Sequence, residues 1–520
     1  MPSFIFGSVT GVTTAVVICL YKLCATYVIE LSMSGYERLR EAPIWLILVV
    51  PALFLTACLF ARVYRKYPNM KGGGIPTSIA ALRGILPIHG LRNLVGVFTI
   101  SLSMFLLGVP LGNEGPSVQM GTDVGKMCMR SFPKRSWAWE RYTMTGGACA
   151  GFAVATGAPI SGILFSVEEA HQRISPMLLM VSATSVMVAK LTTDLLCRIL
   201  PIHAELFVHL SLIALTPRDV WIPFTVGIAV GLFAVLFLKY YYVIRGVAQR
   251  ILKSKMADTM LIFTVFILTL IFGLFSKSFI STGHDLMLSL FDGNKVILVL
   301  LMILFIRSTL TLLANSAGLT GGLFVPIMTL GALISAIIGR ALVSVLGIEH
   351  NYFVIILVLG ITACIAAMMK MPLTAIVFAV EALGCYENVI YVIVVAVVSY
   401  VITEFFGVKS INDVVIEHRT ESLHEGEEAV VAEVFLTVLP GSFAVGKQIR
   451  DIFWPSNTFV LSVKSAHSHH AEVDGHGGRD IHAADVLHVR YSTYDQEQTV
   501  EALLAIVGEQ EIEIVAVDRA

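Results

Sequence analysis

Charge is what this chain has least of. Of its 520 residues only 14% are Asp, Glu, Lys or Arg, while 56% are hydrophobic, and the mean hydropathy is +0.81. That composition lies far outside the soluble globular range and reads as a polytopic membrane protein. The net charge of −1 offers no basic excess, which argues against nucleic acid as a partner. Cysteine pairs are missing too. Cys19, Cys24, Cys58, Cys128, Cys149, Cys197, Cys364 and Cys385 are scattered through apolar segments without a Cys-x-x-Cys spacing. They read as small buried hydrophobes, so neither a disulfide framework nor a metal site is expected. No charged segment precedes the first apolar stretch and no small-residue cleavage site follows it, so this stretch is expected to be kept as a span. The absence of a nucleophile–base set and of a nucleotide-binding loop argues against an enzyme.

What the chain does have is long apolar runs. They cover about residues 8–33, 43–63, 93–110, 177–200, 219–244, 258–278, 294–314, 328–347, 351–369 and 388–406, several near the ~20 residues needed to cross a bilayer. Between them lie pieces too short to span, at 75–84, 115–127, 158–170 and 371–383, each beginning near Gly or Pro. Half-helices that stop inside the membrane have this form. Arg62, Arg65, Lys66 and Lys71 form a basic connector after the second run. The positive-inside rule places that loop in the cytoplasm and the N-terminus on the same side.

An internal repeat is visible among the short pieces. Pro159-Ile-Ser-Gly-Ile-Leu-Phe-Ser-Val-Glu168 follows Gly146-Gly147-Ala148-Cys149-Ala150-Gly151, and Pro372-Leu-Thr-Ala-Ile-Val-Phe-Ala-Val-Glu381 follows Gly360-Ile-Thr-Ala. At nearly the same offset, Gly112-Asn-Glu-Gly-Pro116 is echoed by Gly321-Gly-Leu-Phe-Val-Pro326. Two matches in order argue for a duplicated half, and transporters commonly place their site where such halves meet. Three glycine-rich helix starts are then expected to converge: Gly72-Gly73-Gly74-Ile75-Pro76, Gly112 to Pro116 and Gly321 to Pro326. Each offers unpaired backbone N–H groups and the positive end of a helix dipole, which together make an anion site without a cation. Glu114 stands at one of these starts. Taking an ionised carboxylate into hydrocarbon costs roughly 3 kcal/mol even on lenient scales, so such acids mark ion or proton paths.

These motifs, in this order and with Gly157 to Ala170 among them, closely resemble the CLC family of chloride channels and proton-coupled anion antiporters over about residues 1–418. The resemblance implies an all-α polytopic membrane protein with an inverted repeat and broken helices. It further implies a homodimer with one pore per subunit in a prokaryotic plasma (inner) membrane, moving chloride or other small anions and protons without a cofactor. On that likeness Glu114 matches the gating glutamate, which occupies the outer anion site when ionised and swings away when protonated. The amides of Leu323 and Phe324 match ligands of the central anion, and Gly73, Gly74, Ile75, Gly115 and Asn412 line the same site. Glu169 matches the internal glutamate that passes protons in the family's antiporters. Glu381, the repeat partner of Glu168, is expected to make a structural polar contact instead.

Three positions depart from the family pattern. Gly73 stands where the family has a serine, Asn412 where many members have a tyrosine, and Asn113 where an arginine is usual. Without the two hydroxyls the central site should discriminate less among anions. Fluoride therefore stays open beside chloride, and a passive anion channel stays open beside an antiporter. A cation transporter would need acidic or carbonyl-rich sites, whereas clustered helix N-termini suit anions.

After Ser410 the composition changes. Residues 419–430 read as a charged linker, Glu421 to Glu428 being rich in Glu, and 431–520 as a small α+β cytoplasmic domain with alternating strands at Ala432 to Val438 and Phe459 to Val463. The run Val438 to Pro455, the strand after Ala484 and a last helix over Thr499 to Val507 resemble the TrkA-C (RCK C-terminal) domains of prokaryotic ion transporters. That likeness implies a regulatory module with a nucleotide or small molecule as a possible ligand. His467, His469, His470, His476 and His482 lie in a Gly- and Asp-rich stretch without the paired ligand spacing of a zinc site, and are expected to form a solvated loop.

Overall fold

The computed structural model describes residues 2–516 apart from 202–204, 208–209, 211, 252–254, 292, 294, 348, 350, 424–428, 466–472 and 513. His467, His469 and His470 thus lie outside the described residues, while His476 and His482 are exposed.

Up to residue 423 the regular structure is helical. In chain order come α1 (Pro2–Glu41), α2 (Leu46–Lys66), α3 (Ile75–Leu82), α4 (Gly90–Leu106), α5 (Glu114–Arg130) and α6 (Glu140–Thr156). They are followed by α7 (Pro159–Phe165), α8 (Pro176–Leu196), α9 (Trp221–Ile251), α10 (Lys255–Phe275), α11 (His284–Phe291) and α12 (Ile297–Ser316). Then come α13 (Phe324–Leu346), α14 (Tyr352–Met369), α15 (Pro372–Glu381), α16 (Val389–Phe405) and α17 (Ile411–Leu423). Among the described residues eight helices are long and apolar enough to cross a bilayer. The expected spans at 93–110 and 388–406 become α4 and α16, apolar but 17 residues each, or about 25 Å. Proline in the first turn of α3, α7 and α15 fixes where these short helices begin.

Two differences from the sequence reading share one physical cause. The piece expected at 115–127 is a 17-residue helix, α5, and α6, absent from the expected runs, packs against it more extensively than any other pair of elements. Gly121 and Gly125 of α5 face Gly147 and Thr143 of α6, and Gly151 faces Ser117, each so closely that a Cβ would overlap the opposite backbone carbonyl. Small residues spaced four apart let two helix backbones touch. The same residues keep hydropathy low, which hid α6 from a search for apolar runs.

The repeat is inverted. Glu168, in a single π-helical turn after α7 (Ser166–Ala170), accepts from the backbone N–H groups of Leu373 and Thr374 at the start of α15. Glu381, at the end of α15, accepts from those of Ile160 and Ser161 at the start of α7. Each helix end meets the other's beginning, so the two run antiparallel.

Beyond α17 lies a five-stranded antiparallel sheet in the order β3-β2-β4-β1-β5. Its strands are β1 (Val430–Thr437), β2 (Thr458–Lys464), β3 (Val473–Asp474), β4 (Val486–Thr493) and β5 (Ile514–Ala516). The helix α18 (Gln496–Val507) buries Leu503, Ile506 and Val507 in the same core as Val434, Leu436, Leu487 and Val489. Phe453 of this sheet domain enters a separate apolar cluster with Tyr142, Leu178 and Val181 of the helical part. The sheet domain is therefore seated on the helices.

Candidate functional site at converging helix starts

The three glycine-rich starts do meet. Gly112 and Gly322 exchange backbone hydrogen bonds, N–H to carbonyl in both directions at 2.7 Å, and the Gly72 N–H donates to the Gly318 carbonyl at 3.0 Å. Gly74, just before α3, has φ +73°, and a Cβ there would overlap the Gly115 carbonyl. A Cβ on Gly115 would in turn overlap the Gly73 carbonyl and stand 2.5 Å from the Gly322 Cα. Only glycine lets these backbones approach so closely. The starts of α3, α5 and α13 are thus brought to one place, with Gly73, Gly74, Ile75, Gly115, Leu323 and Phe324 around it.

Glu114 opens α5 and is fully buried there. Its carboxylate folds back over its own helix start, accepting from its own backbone N–H and lying against Gly112, where a Cβ would stand 2.6 Å from Oε2. The Asn113 amide, turned with its nitrogen inward, donates to Oε1 at 2.6 Å. So the residue that replaces the family's arginine supplies a neutral donor in place of a positive charge. Two cation-forming groups still act on Glu114 from other elements: Lys22 of α1, and His284 at the start of α11 when protonated. Lys22 is held by the Val154 carbonyl at 3.2 Å, and His284 lies 2.6 Å from the Leu206 carbonyl. Neither is adjacent in sequence to any motif, which is why sequence reasoning missed both.

Leu323 and Phe324 are buried at the start of α13. The Phe324 ring packs edge-on against Phe152 at 5.1 Å and Phe378 at 5.4 Å, while Phe152 stacks on Phe165 at 5.6 Å. Phe165 and Phe378 are the repeat-equivalent phenylalanines, so the two halves contribute matching rings to one cluster. Buried aromatic pairs fix ring orientation, and here they hold the helix start that presents the Leu323 and Phe324 amides.

Gly74, before α3, meets Gly115 beside Glu114, and Arg83, after α3, meets the Glu169 carbonyl, so the two acids stand at opposite ends of this eight-residue helix, which is about 12 Å long. It is 2% exposed, so it is a buried acid and not a wet helix end. The Asn412 side-chain amide donates to its Oε1 at 2.8 Å. Asn412 was expected beside the central anion; the structure gives its amide to Glu169. Arg83 follows α3 and spans three acceptors, Asp413 Oδ1 and the carbonyls of Glu169 and Ala170. Arg307 of α12 is a further buried charge that the motifs did not reveal. It donates to the carbonyls of Ser278, Ile280 and Ser281, which compensates its burial.

Residues 52–404 match the protein family described as voltage gated chloride channel. The chain belongs to that family. It is therefore a multi-pass membrane transporter of the voltage gated chloride channel family. It is 28% identical over 392 residues to the H(+)/Cl(-) exchange transporter ClcA of Klebsiella pneumoniae subsp. pneumoniae, spanning 74% of this chain and 82% of that one. To the ClcA of Citrobacter koseri it is 27% identical over 433 residues, 82% of this chain and 90% of that one. The fold is similar to that of a slow cyanobacterial Cl−/H+ antiporter, with a TM-score of 0.72 at 23% identity over 81% of this chain and 98% of that one. It is also similar to that of a CLC-type fluoride/proton antiporter, with a TM-score of 0.64 at 18% identity over 78% and 96% of the two chains.

Proposed function

We propose that this member of the voltage gated chloride channel family exchanges chloride for protons across a prokaryotic plasma membrane. The observation that carries the reading is a pair of buried carboxylates one short helix apart, Glu114 at the converging N-termini and Glu169 at the far end of α3. An anion and an ionised carboxylate compete for the same small group of N–H donors. Ionised Glu114 fills the outer site; protonated, it leaves, and the anion enters against the amides of Leu323 and Phe324. Glu169 relays the proton on the side of the sheet domain, which we assign to the cytoplasm. Anion and proton thus take turns at Glu114, and the exchange follows from that alternation. Chloride is the substrate, and no cofactor is required.

The arrangement also supports a homodimer. Ile160 of α7, Met180, Met187, Leu191 and Leu195 of α8, Leu373 of α15 and Ile390, Ile393 and Val397 of α16 are exposed, and α7 packs on α8 and α15, and α15 on α16, so both halves contribute exposed apolar residues from packed helices. A second copy packed there would leave one pore in each subunit. Fluoride is the second reading for the anion: Gly73 brings no hydroxyl to the central site, and one similar fold belongs to a fluoride/proton antiporter. The sheet domain is assigned a regulatory role, with a nucleotide or small molecule as its ligand.

The test is a chloride gradient across proteoliposomes, with external pH recorded for the parent protein and for Glu169→Gln. The expected result is coupled proton movement in the parent, and chloride flux without proton movement in the variant. Chloride flux without proton movement in both proteins would make this a passive channel.

A further inference from the structure

Glu169 is buried, and it sits in an irregular turn. The π-helical turn Ser166–Ala170 ends at His171, whose N–H donates to the Ser166 carbonyl at 3.2 Å. A turn with i→i+5 bonding is a local departure from the α-helical ladder and needs outside partners to stay in one geometry. Arg83 supplies them. Its Nη2 donates to the Glu169 carbonyl at 2.9 Å, its Nε to the Ala170 carbonyl at 3.1 Å, and its Nη1 to Asp413 Oδ1 at 3.0 Å. Asp413 is the neighbour of Asn412, the residue that holds the Glu169 carboxylate. One guanidinium fork therefore fixes both the backbone that carries Glu169 and the segment that orients its side chain. Its planar, divergent donors are suited to this in a way a lysine ammonium is not.

Arg83 is itself held by the sheet domain. The carbonyls on either side of it are both taken: Leu82 accepts from Arg141, which also donates to the Trp454 carbonyl, and Gly84 accepts from Ser456 Oγ at 2.9 Å. On the far side of Glu169, the His171 ring stacks on Phe453 at 4.4 Å. The sheet domain thus reaches both ends of the bridge between Arg83 and Glu169.

We propose that Arg83 is a positioning residue for Glu169, and that the sheet domain, through Ser456 and the shared Arg141–Trp454 contact, holds Arg83 in place. This rests on the antiport reading, in which Glu169 relays protons. It makes the sheet domain a determinant of coupling.

The readout is the number of protons moved per chloride in proteoliposomes of the full chain. Misfolded protein contributes to neither flux, so this ratio is insensitive to the folded fraction, whereas a merely structural role would lower both fluxes together. Arg83→Gln should lower the ratio at least threefold, Arg83→Lys should recover only part of it, and Ser456→Ala should give a smaller drop of the same sign. If Arg83→Gln does not yield a monodisperse protein, Asp413→Asn takes its place, with a drop of at least twofold expected. A parent-like ratio in Arg83→Gln, or in Asp413→Asn where it substitutes, overturns the proposal. An uncoupled parent protein instead overturns the antiport reading on which it rests.

Discussion

Glu168 and Glu381 each cap the start of the short helix that leads to the other. Glu168 Oε1 and Oε2 accept from the Leu373 and Thr374 amides at 2.8 and 2.7 Å, and Glu381 Oε1 and Oε2 accept from the Ile160 and Ser161 amides at 2.8 Å each. The hydroxyls of Thr374 and Ser161 add a third bond to each carboxylate. The arrangement places a negative charge at two helix N-termini and satisfies amides that a bilayer could not.

Removing either charge should therefore cost stability by a similar amount. Glu381→Gln and Glu168→Gln each convert charge-assisted bonds into weaker ones, a loss of about 2 kcal/mol. Thermal unfolding in detergent should show comparable decreases in Tm for the two variants. A large decrease for one and none for the other would contradict the reciprocal role.

Glu114→Gln imitates a protonated gate that no longer titrates. Chloride flux should persist in proteoliposomes while proton movement disappears. In the parent protein, chloride flux should rise as pH falls, because protonation releases the carboxylate from the anion's site. That rise should be flattened in the variant, and an unchanged pH profile would argue against Glu114 as the competitor.

Gly74→Ala should be among the most damaging single-methyl substitutions in the chain. The position has φ +73°, and its Cβ would overlap the Gly115 carbonyl. Left-handed strain together with a backbone clash is expected to separate the starts of α3 and α5. Gly35 offers the comparison, since nothing lies within 4 Å of a Cβ there. Size-exclusion profiles and chloride flux should be lost in Gly74→Ala and kept in Gly35→Ala.

In the sheet domain, Glu433 of β1 pairs with Arg490 directly opposite on β4 and with His488, 2.9 Å away. Hydrogen bonding to Arg490, and secondarily to His488, holds the Glu433 carboxyl below its ordinary value. A depressed carboxyl contributes stability above its unfolded pKa of about 4.3 and loses it as pH falls through the lower folded value. Thermal unfolding of the full chain and of Glu433→Gln should differ at pH 7, and the difference should vanish as pH falls below the unfolded value of about 4.3 and through the lower folded one. A difference that persists there would point to packing instead of charge.

How much of this was legible in the sequence depended on the physical signal involved. The glycine–proline starts and the Pro-to-Glu repeat were visible because backbone approach restricts residue type at fixed spacings, and the structure brings them together. The soluble strands were visible through their alternation. α6 was hidden because the glycines that let it touch α5 also remove its hydropathy. Lys22, His284 and Arg83 were hidden because their partners lie on other elements, so no local spacing announces them. Asn412 was placed at the central anion site, since a sequence position cannot show that its amide turns toward Glu169.

The most direct measurement is proton movement by the parent protein in proteoliposomes loaded with high chloride and diluted into low chloride at equal pH, with the membrane potential clamped near zero by valinomycin and potassium. Exchange predicts that chloride leaving the vesicles drives protons in, so that the external medium becomes alkaline, and that a proton ionophore collapses the change. Rapid chloride efflux with no shift in external pH would contradict the account.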